Sequence, residues 1–452
     1  MRALPALLAL LLAAPARSAE EAEDSFVLRN CRLLTGDGGA VIEDAVVVVR
    51  GGRVEAAGSA AATRAPAGLP AVDGAGGTVA PAFVLAATRL GVPWPQGETG
   101  KATAAESAAD EVDPFHRDLG VAARAGVAIA CVVPGPGAPG GEGVCVRPAT
   151  GGTDGFRLAG GRVLRVDVEA STAWTKALSG ALEAAKGEIE KAEKSEKERE
   201  AWRAAAAEFE AKRAAIEREH GEAVKRHADE RAKAEKEGKP VPAAPAKADP
   251  GKPPAEPKAF EPDAKTAIVR DAVRRQVPVI VFAGSAADAE RALDLLAPWR
   301  LRLVFRASGD AWRAAPRLAA AGAAVLVEPE TTTVPGTLER VNPAAVLAAA
   351  GCAVSFVPRS ESRASLEAMR SDAGLLVRWG LPRRAAVRAL AIEGARALGL
   401  EETAGSIAPG RSADLLLFDG DPLEPSTRLR AAWSAGRTVP LGSAADDERE
   451  SP

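Results

Sequence analysis

Five short apolar runs, separated by helix-forming segments, restrict the fold of this chain more than any other feature. Helix-forming segments at Ala286–Leu296 and 311–321 lie between successive runs. The runs are residues 127–133, 277–282, 301–305, 323–327 and 353–357. Apolar strands that alternate with helices pair in parallel and are covered by those helices. The pattern therefore predicts an α/β fold built on a parallel sheet.

The length and composition of the chain fit one large α/β barrel with a smaller partner domain. Such barrels commonly exceed ~200 residues as a single domain. Hydrophobic residues make up 47% of the 452 residues, whereas aromatic residues make up only 4% and tyrosine is absent. The core is therefore expected to pack mainly through aliphatic side chains.

Both ends of the chain carry short β-type runs broken by turns. Residues 26–81 contain the run 46–49 and the turn 50–53, and residues 413–418 form a similar run near the other end. Short apolar runs bounded by glycine-rich turns indicate antiparallel strands. The sequence predicts one composite β-domain made of residues 20–80 and 405–442.

A charged segment of about 70 residues interrupts the α/β pattern. Residues 171–240 consist mostly of Ala, Glu, Lys and Arg, and residues 174–239 contain no proline, a composition that predicts helix. A thin apolar stripe recurs every seven residues along it, at Trp202, Phe209, Ile216 and Ala223. A single rod would reach ~90 Å. We therefore expect a folded-back hairpin that bends near Gly187 or Gly221.

The segment that follows, residues 241–261, is rich in Pro, Ala and Lys. Such a composition buries too little apolar surface to order itself. We expect a mobile linker that ends the insertion.

The N-terminus has the pattern of a secretory signal peptide. Arg2 precedes the apolar run 7–14, and small residues follow before an acidic stretch. That run is shorter than the ~20 apolar residues of a membrane span. We expect removal of residues 1–19, with cleavage after Ala16 or Ala19, a periplasmic or secreted protein, and no membrane span afterwards. The alternative is an apolar N-terminal helix.

Charge and cysteine usage narrow the partner classes. The formal net charge is -3, and basic residues are interleaved with acidic ones. Nucleic-acid-binding domains carry clustered basic residues instead, so this partner class is excluded. The four cysteines are too dispersed for a disulfide scaffold or a zinc site and are expected to be buried thiols. An oxidising compartment would permit a bond between Cys131 and Cys145.

Three stretches of the chain resemble the metal-dependent amidohydrolase superfamily. Residues 73–91 are similar to the superfamily's first barrel strand, and residues 393–415 to its C-terminal glycine-rich run. Residues 113–143 are similar to the exported, imidazolonepropionase-related branch, which also carries a charged helical insertion. The resemblance implies a TIM-like (β/α)8 barrel (residues 81–170 and 262–404), a small composite β-sandwich domain from both chain ends and a long helical insertion.

The positions that hold the catalytic metal in the superfamily are substituted here. Aligned on Pro81, two positions of a His-x-His pair are Ala87 and Arg89, and Leu85 replaces an aspartate. The substituted metal positions, including those of later strands, are Ala87, Arg89, Phe282, Gly284, Ala307 and Arg359. The resemblance therefore implies a barrel that keeps its frame and has lost its metal ligands.

Histidine content supports the same interpretation without any alignment. The chain has three histidines, and His220 and His227 both lie in the charged helical segment, where a solvated position is expected. A catalytic zinc requires about three protein ligands, most often including His. The remaining His116 follows a turn and cannot form such a site alone. We predict no metal, no cofactor and no catalytic residues, because Ser308, Ser360 and Cys352 also lack a nearby His.

The replacement residues suggest a different chemistry. The first and last strands of a closed barrel are neighbours, so Arg89 and Arg359 are expected to meet at its C-terminal face. With Arg306 and Ser308 they would form a pocket that binds a carboxylate or phosphate. The alternative is that Arg89 and Arg359 point to solvent or pair with Glu361 and other acids.

Two functions from different classes remain. The preferred one is a binding or scaffolding pseudoenzyme for an anionic ligand, with the helical insertion either a protein-contact surface or a solvated spacer. The other is an active hydrolase of amide or cyclic C–N bonds that uses atypical ligands such as Asp113, His116 and Asp167. Fold alone does not decide between them.

Overall fold

The computed structural model describes residues 24–93, 102–241, 243–334 and 336–441. The expected signal peptide and both of its cleavage positions lie outside these residues. The chain divides into two compact units, the first made of Met1–Ala181 with Asp271–Pro452 and the second of Leu182–Arg270. Within the described ranges, no helix combines the length and the hydropathy that crossing a membrane requires.

All strands of the described residues lie in the first unit. They are β1 (Phe26–Leu33), β2 (Ile42–Arg50), β3 (Arg53–Ser59), β4 (Ala71–Asp73), β5 (Thr78–Pro81), β6 (Phe83–Thr88), β7 (Val127–Val132), β8 (Glu142–Val146), β9 (Arg157–Asp167), β10 (Val279–Ala283), β11 (Leu303–Ala307), β12 (Ala324–Val327), β13 (Thr332–Thr333), β14 (Arg340–Val341), β15 (Ala353–Phe356), β16 (Leu415–Phe418), β17 (Leu429–Ser434) and β18 (Arg437–Val439).

Helices connect many of these strands. They are α1 (Ala108–Glu111), α2 (Arg117–Arg124), α3 (Thr172–Glu237), α4 (Ala267–Val273), α5 (Ala286–Leu296), α6 (Ala315–Ala320), α7 (Pro343–Ala349), α8 (Arg363–Arg378), α9 (Arg383–Leu390) and α10 (Ile392–Leu398).

The β-domain is an eight-stranded sheet that joins both chain ends. Its order is β18-β17-β16-β5-β1-β2-β3, with β4 paired to β1. The strands of the two ends meet where β5 pairs antiparallel with β16, with Pro81 opposite Leu415. A core of buried aliphatic side chains covers one face, and the Phe26 and Trp433 rings stack at 5.2 Å. Hydrophobic burial of both ends against each other holds this domain together.

A second eight-stranded sheet forms the barrel, in the order β15-β12-β11-β10-β9-β8-β7-β6. Strands such as β6 and β7 are buried at every residue, as expected for parallel strands covered on both faces. Seven strands run parallel, whereas β8 is antiparallel to both β7 and β9. The predicted fold class is confirmed, with one hairpin in place of a strand–helix unit.

The first and last barrel strands, β6 and β15, stand at the two edges of this sheet. Helix α10 covers both edges, and its Gly394 lies where they approach. A Cβ at Gly394 would stand 2.6 Å from the Val84 carbonyl oxygen and 3.1 Å from Ser355 Oγ. Only a glycine lets the helix come this close, so α10 fills the seam of the barrel.

The helical predictions between the strands differ in one detail. Helix α5 has the predicted bounds. The predicted helix 311–321 is instead a 3₁₀ turn, Ala311–Ala314, followed by α6. The second residue of α6 is proline, which lacks an N–H and therefore favours a helix start over a helix interior.

Helix α3 is one continuous helix of 66 residues, so the expected hairpin is wrong. Both glycines at which a bend was expected, Gly187 and Gly221, remain helical, and a Cβ at either would contact nothing. Each costs ~1 kcal/mol relative to alanine. Ion pairs one turn apart, such as Lys194–Glu198 and Arg231–Glu235, support the exposed helix.

The proline-rich segment after α3 lies along that helix rather than free of it. Trp202 Nε1 donates to the Pro254 carbonyl oxygen at 3.0 Å, and Lys247 stands 3.5 Å from Glu217. Contacts move toward the start of α3 as this segment advances, so the two run antiparallel. The thin apolar stripe therefore packs on an extended segment instead of a second helix.

Candidate functional site

A cavity of about 360 Å³ lies at the carboxyl ends of the barrel strands. Strands β6, β7, β9, β10, β11 and β15, or the residues that follow them, contribute side chains to its wall. The wall contains four arginines and a single acid, Arg89, Arg165, Arg306, Arg359 and Glu361, beside the polar residues Thr88 and Ser360 and the apolar residues Ala87, Val133, Phe282, Val357 and Pro358. This is the face at which barrels of this kind form their pockets.

Arg89 follows directly after β6 and is held from two sides. Its Nη2 atom lies 3.1 Å from Glu111 Oε2, and its Nη1 atom donates to the Val133 carbonyl oxygen at 3.1 Å. Its Nε atom is buried and has no hydrogen-bond partner within the described part of the chain. The guanidinium is thus fixed in place with one donor unsatisfied.

Glu361 connects the two edges of the barrel at the cavity wall. Its Oε1 atom accepts from Thr88 Oγ1 at 2.6 Å and from the backbone N–H of Arg89. Both donors belong to the end of β6, whereas Glu361 follows β15. The expected pairing of Glu361 with a guanidinium is absent among the described contacts, and the backbone of Arg89 takes its place.

Arg306 lies on β11 and is the least satisfied cation of the wall. Its Nη2 atom stands 2.5 Å from Glu328 Oε1. Its Nη1 atom is buried, and no described residue offers it an acceptor. A buried N–H without an acceptor costs ~1–3 kcal/mol. An oxygen atom supplied by a ligand would recover that cost.

Arg165, on β9, is held more completely than the other arginines. Its Nε and Nη2 atoms donate to both carboxylate oxygens of Asp167 at 2.7 and 2.8 Å, and Nη1 donates to the Pro134 carbonyl oxygen. Its guanidinium also lies 4.1 Å from the centre of the Phe282 ring, at cation–π distance. These contacts hold Arg165 rigidly in the cavity wall.

Arg359 is the outermost cation, with a side chain 48% exposed. Its Nη2 atom lies 3.1 Å from Asp372 Oδ2, and Nη1 lies 4.0 Å from Glu330 Oε2. Burial raises the pKa of both carboxyls above the usual range, and nearby Glu328 raises that of Glu330 further. Both carboxyls therefore take up a proton, and release Arg359, at a higher pH than ordinary carboxyls would.

The distribution of charge around the cavity follows one pattern. Each wall arginine is anchored by an acid that does not itself line the cavity. These acids are Glu111, Asp167, Glu328, Glu330 and Asp372. Within the wall, four cations face one anion. The arrangement suits a ligand with carboxylate or phosphate oxygens, which a guanidinium can bind through two parallel hydrogen bonds.

Several positions that the resemblance assigns to metal ligands come together in this cavity, and the side chains found there do not fit a metal. Ala87, Arg89, Phe282 and Arg359 all line it. Alanine and phenylalanine side chains offer no donor atom, and a guanidinium has N–H donors but no lone pair for a cation. No group of three His, Cys, Asp or Glu side chains able to hold a metal occurs in the described ranges.

Three sequence-predicted positions lie outside the wall. Gly284 and Ala307 follow or end their strands without lining the cavity. Ser308, expected in the anion pocket, also does not line it, and its Oγ atom donates to the Ala283 carbonyl oxygen at 3.4 Å. The structure therefore does not bring Ser308 into the wall with the arginines.

The alternative ligands are engaged separately. Asp113 Oδ1 accepts from the Phe115 backbone at 2.9 Å, and His116 Nδ1 accepts from the Asp118 backbone as the cap of α2. Asp167 is occupied by Arg165. His220 and His227 both lie on α3. The structure therefore assembles no ligand set from these residues.

Sequence reasoning missed Arg165 and Thr88. Arg165 and Asp167 stand two residues apart, so they share one face of a strand. That spacing was the available signal, and strand β9 itself was not predicted.

The C-terminal glycine-rich motif has a structural task. Asp414 is buried and accepts from Arg147 Nη1 at 2.6 Å and from the Ala435 backbone at 2.8 Å. Arg147 directly follows β8, and its Nη2 atom also donates to Ser412 Oγ at 2.9 Å. A buried pair with these additional bonds joins the β-domain to the barrel hairpin.

Comparison with known proteins agrees with this architecture. Residues 355–440 match the sequence model of a family described as the amidohydrolase family. An amidohydrolase from Thermotoga maritima MSB8 has a similar structure, with a TM-score of 0.64 and 20% identity over 92% of this chain and 99% of that chain. No curated protein is similar enough in sequence to match the chain.

A more distant structural likeness links the chain to a zinc-bound adenosine deaminase from Xanthomonas campestris. It has a TM-score of 0.47 and 18% identity, covering 91% of this chain and 92% of that chain. Residues 355–440 are thus similar in sequence to the amidohydrolase family, and the chain as a whole shares its fold with the Thermotoga maritima amidohydrolase.

Proposed function

We propose that this chain has lost metal-dependent hydrolysis and binds a small anion in the arginine-lined cavity of its barrel. The observation that carries the proposal is the pair of buried donors, Arg306 Nη1 and Arg89 Nε, for which the described residues provide no acceptor. Both arginines line one cavity and are held in place by acids behind the wall. Because both atoms are inaccessible to solvent, a carboxylate or phosphate would satisfy them only after a small movement of the wall.

Loss of hydrolysis is proposed on the chemistry of the substituted positions. In this superfamily a bound metal lowers the pKa of its water to ~7 and polarises the scissile bond. The cavity instead presents arginines and apolar side chains at these positions. Elemental analysis of the purified protein is the direct test, and we expect substoichiometric zinc, manganese and iron. Tightly bound metal near one equivalent would overturn the proposal in favour of an active hydrolase.

Anion binding is tested by titration with inorganic phosphate, sulfate and benzoate, followed by calorimetry and thermal shift. We expect at least one probe to raise the melting temperature of the unmutated protein. The variants Arg89→Ala and Arg359→Ala should weaken its binding, Arg89→Ala by roughly tenfold or more, because a hydrogen bond to a charged group contributes ~1.5–3 kcal/mol.

The matched control is Arg378→Ala, which removes an arginine paired to Glu424 elsewhere on the first unit. It should leave the affinity unchanged. If no probe shifts the melting temperature, or if Arg378→Ala weakens binding as much as Arg89→Ala, the cavity is not an anion site.

Export and the role of the insertion are further parts of the proposal. We propose cleavage after Ala16 or Ala19 and a periplasmic or secreted location, which N-terminal sequencing of the mature protein tests.

For the insertion we favour a solvated spacer over a protein-contact surface, because the apolar stripe of α3 already packs against the segment that includes Pro254. A partner protein that binds specifically to the apolar stripe of α3 would contradict this choice.

A further inference from the structure

Two cysteines face each other across the β7–β8 hairpin. Cys131 and Cys145 are directly opposite in the antiparallel pair and are 0% and 1% exposed. Opposed residues of such a pair have Cα atoms ~4.5–5.5 Å apart, which lies within the ~4.4–6.8 Å that a disulfide requires. Burial raises the pKa of the Cys131 thiol, and the adjacent Cys145 thiol raises it further.

The neighbouring strand leaves room for this pair. The register of β8 against β9 shifts between Val144 and Val146, and Gly161 stands beside the shift. A Cβ at Gly161 would be 2.5 Å from Cys145 Cβ and 3.0 Å from its Sγ atom. The absence of a side chain at Gly161 is therefore what accommodates the Cys145 thiol.

The other two cysteines have different surroundings. Cys31 Sγ donates to the Ala45 carbonyl oxygen at 3.4 Å, and Cys352 Sγ donates to that of Ala315 at 3.6 Å. Neither stands opposite a cysteine in the strand pairings. They provide internal controls within the same chain.

We propose that Cys131 and Cys145 are joined by a disulfide when the chain folds under oxidising conditions. The two thiols form one S–S bond, and their two electrons and two protons pass to a disulfide-bearing oxidant, which is released as two thiols. Because both sulfur atoms are buried in the folded chain, the bond forms before the hairpin is covered. The folded barrel then shields it from reductants.

The disulfide would close the base of the β7–β8 loop, which contacts two arginines of the cavity wall. The loop between β7 and β8 contains the carbonyl groups of Val133 and Pro134, which accept from Arg89 and Arg165. A covalent link one residue before the end of β7 restricts the motion of both carbonyls. The disulfide thereby holds two of the wall arginines indirectly.

The test counts thiols in the full-length chain. The protein is folded in a redox buffer of oxidised and reduced glutathione, denatured without reductant in the presence of N-ethylmaleimide, and mapped by peptide mass spectrometry. We expect labels on Cys31 and Cys352 only, with the peptides of Cys131 and Cys145 linked. Label on all four residues, or a link that involves Cys31 or Cys352, would overturn the proposal.

A stability measurement provides an independent readout. Reduction during unfolding should lower the melting temperature by roughly 3–5 °C, because the disulfide closes the loop between Cys131 and Cys145 and the unfolding entropy of so long a chain keeps the shift small. The variant Cys131→Ala/Cys145→Ala should not respond to reductant, whereas Cys31→Ala/Cys352→Ala should respond like the unmutated chain. If the first variant fails to fold, the mass mapping decides alone, and a melting temperature unaffected by reductant in the unmutated chain contradicts the proposal.

Discussion

Two arginine-rich cavities occupy different ends of the barrel, and they differ in where the acids that pair with their arginines lie. The larger, about 540 Å³, lies near the start of β15 and includes Arg388, Glu393 and Arg396 in its wall. There two of the arginines converge on Glu393, because Arg388 Nη2 and Arg396 Nη1 both donate to its Oε1 atom. At the carboxyl ends of the strands, the acids stand behind the arginines instead.

The unsatisfied atoms of the two walls therefore have opposite character. Near the start of β15 the buried atom without a described partner is an acceptor, Glu393 Oε2, whereas at the other end the atoms are donors of Arg89 and Arg306. Cavity size alone would select the end of the barrel opposite to the proposed anion site. The position of the counter-charge, within the wall or behind it, decides which ligand a cavity can hold.

The largest effect is expected at the larger cavity, near the start of β15, and concerns the stability of the fold. Replacing Glu393 by Ala removes a carboxylate that is 5% exposed and leaves two arginines without their shared acceptor. We expect the free energy of unfolding to fall by about 3 kcal/mol, as for other broken buried pairs. Urea denaturation measures the loss. Anion affinity at the other cavity should not change, and a parallel loss of affinity would show that the cavities are coupled.

The second prediction concerns binding at the C-terminal face. Arg306→Met keeps the length of the side chain and removes the unsatisfied donor. Phosphate or sulfate affinity, measured by calorimetry, should fall by roughly 10- to 100-fold. The matched variant Arg396→Met changes the other cavity and should leave the affinity unaltered. If both variants lower the affinity equally, anion binding does not distinguish the two cavity walls.

A third change should strengthen binding. Glu361 is the only acid among the described residues of the anion-cavity wall, and it accepts from Thr88 and from the Arg89 backbone. Glu361→Gln keeps an acceptor oxygen and removes the negative charge. We expect an affinity gain of roughly threefold to tenfold, in line with the interaction of charges in a partly exposed site. A weaker affinity would indicate that Glu361 orders the site more than it repels the ligand.

The smallest effect is a dependence on pH. The raised pKa values of Glu330 and Asp372 mean that the folded chain takes up these protons at higher pH than the unfolded chain does. Their ionised forms therefore oppose folding, and this unfavourable contribution is relieved as the pH falls through the folded-state values. Protonation also releases Arg359. Sulfate keeps its charge over this range, so its affinity should rise a few-fold on acidification from neutral pH.

Asp372→Asn is the control for that titration. It removes one partner of Arg359 at every pH. The variant should bind sulfate more tightly near neutral pH and show a flatter profile. A profile as steep as that of the unmutated protein would assign the dependence to other groups.

The parts of the fold that follow local patterns could be predicted from the sequence. The bounds of α5 and the buried strands came from apolar sequence patterns, and the expectation that Arg89 and Arg359 lie on the same face came from the barrel that the resemblance implied; both residues line one cavity. Both depend on regularities that hold for any chain of this class. The same regularities predicted the fold class correctly.

Features set by tertiary contacts could not be predicted in this way. Arg165 lies on a strand whose residues alternate weakly in hydrophobicity and which pairs with the unexpected antiparallel strand β8. Helix α3 stays continuous because the proline-rich segment, rather than a second helix, covers its stripe. In both places the partner is a neighbouring segment, β8 or the proline-rich stretch, whose pairing the local sequence pattern does not specify.

Glycine at position 394 has a consequence for self-association. The edge strands β6 and β15 carry backbone groups that the sheet itself leaves unpaired, and such edges are templates for pairing with another chain. Helix α10 hides them only while it can lie against Val84 and Ser355. A side chain at this position would lift the helix and uncover both edges at once. The seam is therefore where this barrel guards against aggregation.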